Sequence, residues 1–80
     1  MKTKIKYFAK LKDLTGKAEE IWEDDSKNPE ELFLAVKEKY NFNFDLKSMR
    51  VAVNESYVDE KNYSLEENDT VVFIPPVAGG

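Results

Sequence analysis

The fold depends on one stretch of sequence, Val71-Val72-Phe73-Ile74-Pro75-Pro76-Val77-Ala78-Gly79-Gly80. Its first four residues are β-branched or aromatic, which predicts a buried strand from Val71 to Ile74. Pro75 and Pro76 end this strand, because neither has an N–H to give to a sheet and both fix φ near its extended value. The stretch therefore predicts a last strand that directs the residues after it away from the sheet.

The residues after the prolines decrease in side-chain size from Val77 and Ala78 to Gly79 and Gly80. Glycines at a chain end gain no burial and lose much entropy when ordered, so this segment does little for the fold. A Gly-Gly stem can enter a channel too narrow for any Cβ. We expect a domain over 1–76, a flexible tail over 77–80, and the carboxylate of Gly80 as the working group. The alternative is a frayed end, but a stiff Pro-Pro followed by an uncharged taper is not typical of one.

Composition excludes several classes of function. The 80 residues contain no Cys and no His, so we expect no disulfide, no metal site and no autonomous hydrolase. The formal net charge of −4 argues against nucleic-acid binding. The longest purely apolar run, Leu32 to Val36, is too short to span a membrane, and we expect a cytoplasmic protein with no membrane contact.

Alternation over Thr3 to Ala9 predicts a first strand with Ile5, Tyr7 and Ala9 on one face. Phe8 falls on the opposite face, among lysines. It is either covered by a neighbouring loop or an exposed apolar contact for a partner, and the pattern alone leaves both open.

The next two segments predict a connection and a second strand. Leu11 to Lys17 is typical of a connection anchored by Leu11 and Leu14, with Gly16 as its turn residue. Ala18 to Glu23 predicts a strand that forms a hairpin with the first, so the two are antiparallel.

A strong helix start follows. Asn28 is suited to the N-cap, Pro29 to the first helical position and Glu31 to the completion of the capping arrangement. Asn41 is a plausible stop. The apolar positions at helical spacing are Leu32, Phe33, Ala35, Val36 and Tyr40.

The second half predicts the remaining strands. In the irregular segment Asn41 to Ser48, the apolar side chains of Phe42, Phe44 and Leu46 are expected to attach the loop to the core. Met49 to Asn54 predicts a third strand, followed by a tight turn and a short return strand at Tyr57 and Val58. A polar connection, anchored by Leu65 and with Asn68 in a turn that favours positive φ, leads to the last strand. Strands on both sides of one main helix predict an α+β fold, a mixed sheet with that helix packed on one face.

The ending Pro-Pro-Val-Ala-Gly-Gly and the segment Val-Asn-Glu-Ser-Tyr-Val at 53–58 resemble the MoaD family, the small sulfur-carrying subunits of molybdopterin synthase. The resemblance implies a ubiquitin-like β-grasp, with the first and last strands parallel and adjacent at the sheet centre. Phe8 and Ile74 could then approach each other on the face opposite the helix. It also implies an interface for partners formed by Phe8, Ile74, Pro75 and Pro76.

The same resemblance implies a non-catalytic carrier that binds no cofactor itself. Gly80 would be adenylated by an E1-like adenylyltransferase that uses ATP, and a sulfur donor system would convert it to a thiocarboxylate. The tail, Val77 to Gly80, would enter the active site of the large synthase subunit, in an expected heterotetramer. There the sulfur would pass to cyclic pyranopterin monophosphate in molybdopterin synthesis. Two alternatives are a carrier or modifier of another pathway, such as thiazole synthesis or protein conjugation, and a binding module with an inert tail.

Overall fold

The computed structural model describes residues 1–43 and 45–75, without the side chain of Lys47. Five strands, two α-helices and one 3₁₀ turn follow each other in this part of the chain. In chain order they are β1 (Lys2–Tyr7), α1 (Ala9–Thr15), β2 (Glu19–Glu23), α2 (Pro29–Tyr40), the 3₁₀ turn (Leu46–Ser48), β3 (Arg50–Val53), β4 (Ser56–Tyr57) and β5 (Thr70–Ile74).

The strands form one mixed sheet in the order β2-β1-β5-β3-β4. The central pair, β1 and β5, is parallel, with Ile5 opposite Val71 and Tyr7 opposite Phe73. All other neighbours are antiparallel, including the predicted pair of β1 and β2. The expected fold is therefore confirmed: an α+β, ubiquitin-like β-grasp with its first and last strands adjacent at the sheet centre.

One face of the sheet is covered by α2. Its buried residues Leu32, Phe33 and Val36 belong to the same core cluster as the inward side chains of β1 and β5. Phe33 connects the two layers, because its ring lies 5.2 Å from the ring of Phe73 in an edge-on arrangement. Alternation in β1 and β5 places every second side chain in this core, as the sequence predicted.

The ends of α2 are those that the sequence predicted. The side chain of Asn28 accepts a hydrogen bond of 2.9 Å from the N–H of Glu31, and the Glu31 carboxylate accepts one of 2.9 Å from the N–H of Lys27. Asn41 ends the helix in the left-handed region, at φ 55°. None of the helices in the described ranges is long and apolar enough to cross a membrane.

The first connection differs from its prediction. The strand ends at Tyr7 rather than Ala9, and the predicted loop is the helix α1, which Gly16 ends at φ 73°. Leu11 is buried as expected. Leu14 is 43% exposed, whereas the next residue, Thr15, is buried. The helix signal is weak because α1 has only seven residues and Phe8 at its N-cap gives no side-chain hydrogen bond.

The turns and anchors of the second half agree with the sequence. Asn54, Glu55 and Asn68 all adopt positive φ, at 51°, 72° and 69°. Leu65 and Phe42 are buried in the core cluster, whereas Phe44 lies outside the described residues.

A nearly buried carboxylate joins β1, β2 and α2. Glu20, whose side chain is 9% exposed, accepts hydrogen bonds from the hydroxyls of Tyr7 (2.5 Å) and Tyr40 (2.8 Å), and Lys17 Nζ lies 3.2 Å from its other oxygen. Burial alone would raise the pKa of Glu20, but the hydrogen bonds from Tyr7, Tyr40 and Lys17 outweigh it, and the pKa lies below its ordinary value. The network fixes the end of β1 directly before Phe8.

Glu20→Gln should lower the free energy of unfolding at neutral pH by about 1–3 kcal/mol, because two tyrosine hydroxyls lose a charged acceptor. A lowered folded-state pKa means that the stabilisation is present above the ordinary pKa of 4.5 and is lost as the pH falls through the folded-state pKa. The difference between the wild type and the variant in urea denaturation should therefore disappear in acid.

The matched control is Glu19→Gln on the same strand, because Glu19 makes only an exposed pair with Lys4. Its effect should stay below about 0.5 kcal/mol. Equal effects of the two substitutions, or a Glu20→Gln difference that persists unchanged into acid, would show that the charge of Glu20 does not stabilise the fold.

Candidate functional site

The sheet face opposite α2 has no layer packed on it among the described residues, and we call it the open face. Alternation directs Lys4 and Lys6 of β1 to this face, together with Val72 and Ile74 of β5. Cross-strand pairs extend it, since Lys6 lies opposite Val72 and Arg50 of β3 lies opposite Ile74. The open face thus has an apolar centre on β5 with cationic side chains on both sides.

The central strand β5 ends at Ile74, at the end of the open face where Phe8 lies. Phe8 keeps extended dihedrals (φ −128°, ψ 154°), which continue the alternation of β1 onto the open face. Because Tyr7 pairs with Phe73, the next residues of the two strands, Phe8 and Ile74, are neighbours. Phe8 is 52% exposed, so no loop among the described residues covers it, whereas Ile74 and Pro75 are half-buried. We call Phe8, Ile74 and Pro75 the tail-exit patch.

The remaining predicted site residues are Pro76, Val77, Ala78, Gly79 and Gly80, and they lie outside the described residues. The predicted boundary between residues 76 and 77, and the role of the Gly80 carboxylate, therefore stay predictions. The structure brings together the three interface residues that it describes, at the point from which those five continue.

Sequence reasoning missed two residues beside the tail-exit patch. The guanidinium of Arg50 lies over the ring of Tyr57, 4.1 Å from its centroid, and Tyr57 is 61% exposed. Both are on the open face. Arg50 pairs with Ile74, and Tyr57 pairs with Ala52, which itself pairs with Val72 of that face. The one available signal was that Arg50 is the only arginine among the 12 basic residues. Nothing local in the sequence places it next to the last strand.

The charges of the open face divide into paired and unpaired groups. Lys4 Nζ lies 3.1 Å from a carboxylate oxygen of Glu19 on the edge strand β2. Neither Lys6 nor Arg50 makes an ion pair within residues 1–43 and 45–75. Although the whole chain is acidic, the surface around the exit of the tail therefore offers unpaired positive charge.

Two acidic residues that stand next to another acid in the sequence, Asp24 and Asp59, accept hydrogen bonds within local turns. Asp24 accepts hydrogen bonds from the Trp22 indole and from Ser26, both at 2.8 Å. Asp59 accepts backbone N–H groups two and three residues later, and the first of these, from Lys61, is the main reason that the pKa of Asp59 is lowered. Within the described part of the chain, no group of three or more His, Cys, Asp or Glu side chains is arranged to hold a metal ion.

Fold and surface together define a small, ubiquitin-like β-grasp protein whose last strand ends beside an exposed apolar patch. The chain belongs to the ThiS family, whose model matches residues 5–80. The resemblance found in the sequence is thereby confirmed at the level of the ThiS/MoaD class.

Solved structures with this fold carry different names. The putative molybdopterin converting factor subunit 1 from Pyrococcus furiosus is 29% identical, with a TM-score of 0.78 over 96% of this chain and 99% of that one. A complex of subunits 1 and 2 of the molybdopterin-converting factor from Helicobacter pylori 26695 contains a chain that is 24% identical, with a TM-score of 0.69 and full coverage of both chains (100% each). Small archaeal modifier protein 1 from Methanosarcina acetivorans is 22% identical, with a TM-score of 0.78 over 99% of this chain and 96% of that one.

Phe8→Asp should leave the fold intact and weaken binding to the activating enzyme and the large subunit that the family resemblance implies. Asp is a favoured N-cap residue, so the substitution supplies the capping group that α1 lacks, and thermal stability should be unchanged or slightly raised. A charge in the centre of an apolar contact should reduce affinity at least about 30-fold, as for a hot-spot residue. Thermal unfolding and titration calorimetry measure the two effects.

Leu34→Asp is the matched control, because Leu34 is 55% exposed on α2, on the other side of the molecule. It should bind like the wild type. The assignment of Phe8 to the interface is wrong if Phe8→Asp unfolds the domain or if the two variants bind equally well.

Proposed function

We propose that this chain is the sulfur carrier subunit of molybdopterin synthase, with Gly80 as the terminal residue that carries the sulfur. The observation that supports this most strongly is the 29% identity, over nearly the full length of both chains, to the putative molybdopterin converting factor subunit 1. The ending Pro-Pro-Val-Ala-Gly-Gly supports the same assignment. A chain without cysteine must hold sulfur on another atom, and a terminal carboxylate is suited to this.

The first step is activation of the carboxylate, which is too poor an electrophile at neutral pH to accept sulfur. A carboxylate oxygen of Gly80 attacks the α-phosphorus of ATP on the activating enzyme, and the bond to the β-phosphate breaks. Pyrophosphate leaves, and an acyl-adenylate remains. A nucleophile at the oxidation level of sulfide then attacks the carbonyl carbon, AMP leaves, and a thiocarboxylate is formed.

The second step is transfer in the large subunit. The structure of the Helicobacter pylori complex, with its subunits 1 and 2, supports a large-subunit partner for this chain as well. The tail-exit patch docks on that partner, the tail enters its active site, and the thiocarboxylate sulfur attacks a carbon of the cyclic pyranopterin monophosphate, from which an oxygen leaving group departs. Water then hydrolyses the resulting thioester, so that the sulfur stays on the product and the carboxylate of Gly80 is restored. Because this chain contains neither Cys nor His, the partner supplies the acid and base groups. Docking holds the thiocarboxylate against its target, where small displacements reduce the rate strongly.

A second candidate is a modifier that is joined to other proteins. Its support is that the fold matches small archaeal modifier protein 1 as closely, at a TM-score of 0.78, as it matches the converting-factor subunit from Pyrococcus furiosus. Both functions begin with the same adenylate. They differ in the nucleophile that displaces AMP, which is sulfur for a carrier and a lysine amine for a modifier.

Intact-protein mass spectrometry tests the assignment to Gly80. After incubation with the activating enzyme, ATP and a sulfide donor, the mass should rise by the difference between one sulfur and one oxygen atom. Deletion of Gly80, or one residue appended after it, should abolish this gain without changing thermal stability. The deletion moves the reacting carbonyl away from the catalytic groups, and glycines at a chain end add little to the stability of a fold.

Omission of ATP is the control, and it should remove the gain from the wild type. An equal gain in the wild type and in the deletion variant, or a gain that maps to an internal residue, would sink the sulfur-carrier assignment. A wild-type chain that becomes joined to protein lysines and acquires no sulfur would favour the modifier instead.

A further inference from the structure

The stacked pair of Arg50 and Tyr57 has no role in the proposed transfer chemistry. The pair is adjacent to the tail-exit patch, because Arg50 on β3 is the cross-strand partner of Ile74 on β5. On the other side of Ile74 is Phe8, so one row across the sheet reads Phe8, Ile74, Arg50. The only arginine of the chain is therefore placed at the point where the tail leaves the sheet.

The geometry of Arg50 restricts its motion and leaves its donors free. At 4.1 Å from the ring centroid, the guanidinium lies on the face of Tyr57, which attracts it through the ring quadrupole. This contact uses the ring face of Tyr57 and leaves the N–H donors of the guanidinium available to a further partner. None of these donors makes a hydrogen bond or ion pair within the residues that the structure describes.

The surroundings of Arg50 leave room for an acceptor. A shallow depression of about 180 Å³ adjoins the stacked pair, with Met49, Val58 and Glu60 in its walls. The carboxylate of Glu60 does not come within ion-pair distance of Arg50. Across β5, the ammonium of Lys6, which makes no ion pair with any described residue, adds a second positive charge on the same face. An arriving acidic group therefore finds positive charge on both sides of the apolar centre.

We propose that Arg50, held over the ring of Tyr57, receives a carboxylate side chain of the large subunit and so fixes the direction in which the tail enters that partner. The proposal rests on the proposed function, whose partner it specifies further. A stacked guanidinium presents two parallel donors, and a carboxylate accepts both, which sets orientation as well as affinity. Lysine offers a point charge on a flexible stem and cannot do the same.

The location favours a protein carboxylate over the phosphates of ATP. Residues 75–80 separate the sheet from the reacting carbonyl, and six extended residues span about 20 Å. Arg50 lies at the sheet end of that span, so it contacts the body of the partner. Apolar contacts at Phe8 and Ile74 exclude water beside it, which strengthens a charged hydrogen bond.

The test measures the affinity of five chains, one of them Phe8→Asp, for the large subunit encoded in the same genome, identified by its homology to subunit 2 of the converting factor. Arg50→Ala should weaken binding by about tenfold or more, because a charged pair beside an apolar contact loses one partner. Arg50→Lys should recover only part of that loss. Lys27→Ala removes the same charge at the opposite end of the molecule, next to Met1, and should change the affinity less than about twofold. The wild type completes the series.

A double-mutant cycle identifies the acceptor. Each carboxylate on the contact surface of the large subunit is replaced by its amide, and one of them should couple with Arg50→Ala and not with Lys27→Ala. The thermal unfolding of Arg50→Ala should match that of the wild type within a few degrees, because Arg50 is exposed.

The outcomes separate the two proposals. If the wild type binds, Phe8→Asp does not, and Arg50→Ala binds like the wild type, the role of Arg50 is overturned and the proposed function stands. The role of Arg50 is also overturned if Arg50→Ala slows adenylation by the activating enzyme and leaves the affinity for the large subunit unchanged. If Arg50→Lys binds as tightly as the wild type, the positive charge alone is sufficient, and the proposed pair of parallel hydrogen bonds from the guanidinium is wrong. If the wild type fails to bind and gains no sulfur, the proposed function fails and this inference fails with it.

Discussion

The parallel pairing of β1 with β5 is the constraint on which the rest of this structure depends. It joins residues some 66 positions apart, Ile5 with Val71 and Tyr7 with Phe73, and the burial of these four side chains offsets the entropy of closing so long a loop. The same pairing sets Phe8 beside Ile74. The exposed contact surface and the exit of the tail are thus consequences of the central strand pair that stabilises the fold.

The end of β1 shows how the chain keeps an apolar side chain exposed at this position. Tyr7 is buried and held by the carboxylate of Glu20, and the next residue, Phe8, is the N-cap of α1. Ser, Thr, Asp or Asn at that N-cap would stabilise the helix by about 1 kcal/mol. Phe8 gives no such hydrogen bond and is half exposed. A local rule is broken here at a cost to stability, which is typical of a position that serves binding.

Local signals account for what the sequence predicted. The Asn28-Pro29 start of α2, the turns with positive φ at Asn54 and Asn68, and the alternation of β5 are each specified by residues within a few positions of one another. The helix α1 could not be predicted, because it is short, lysine-rich and uncapped. Arg50 and Tyr57 were missed for a different reason. Their places on the open face depend on the pairing of β3 with β5 and β4, and that pairing is not encoded near either residue.

The central claim is that the open face around the exit of the tail meets the partner, while the outer side of α2 stays free. Amide chemical shifts of the ¹⁵N-labelled chain, recorded with and without the unlabelled large subunit, test it most directly. The account predicts that the largest changes fall on Lys6, Phe8, Val72, Ile74 and Arg50, and that Leu34 and Glu38 on α2 stay unchanged. Large changes on α2, with the amides of β5 and Phe8 unaffected, would contradict it.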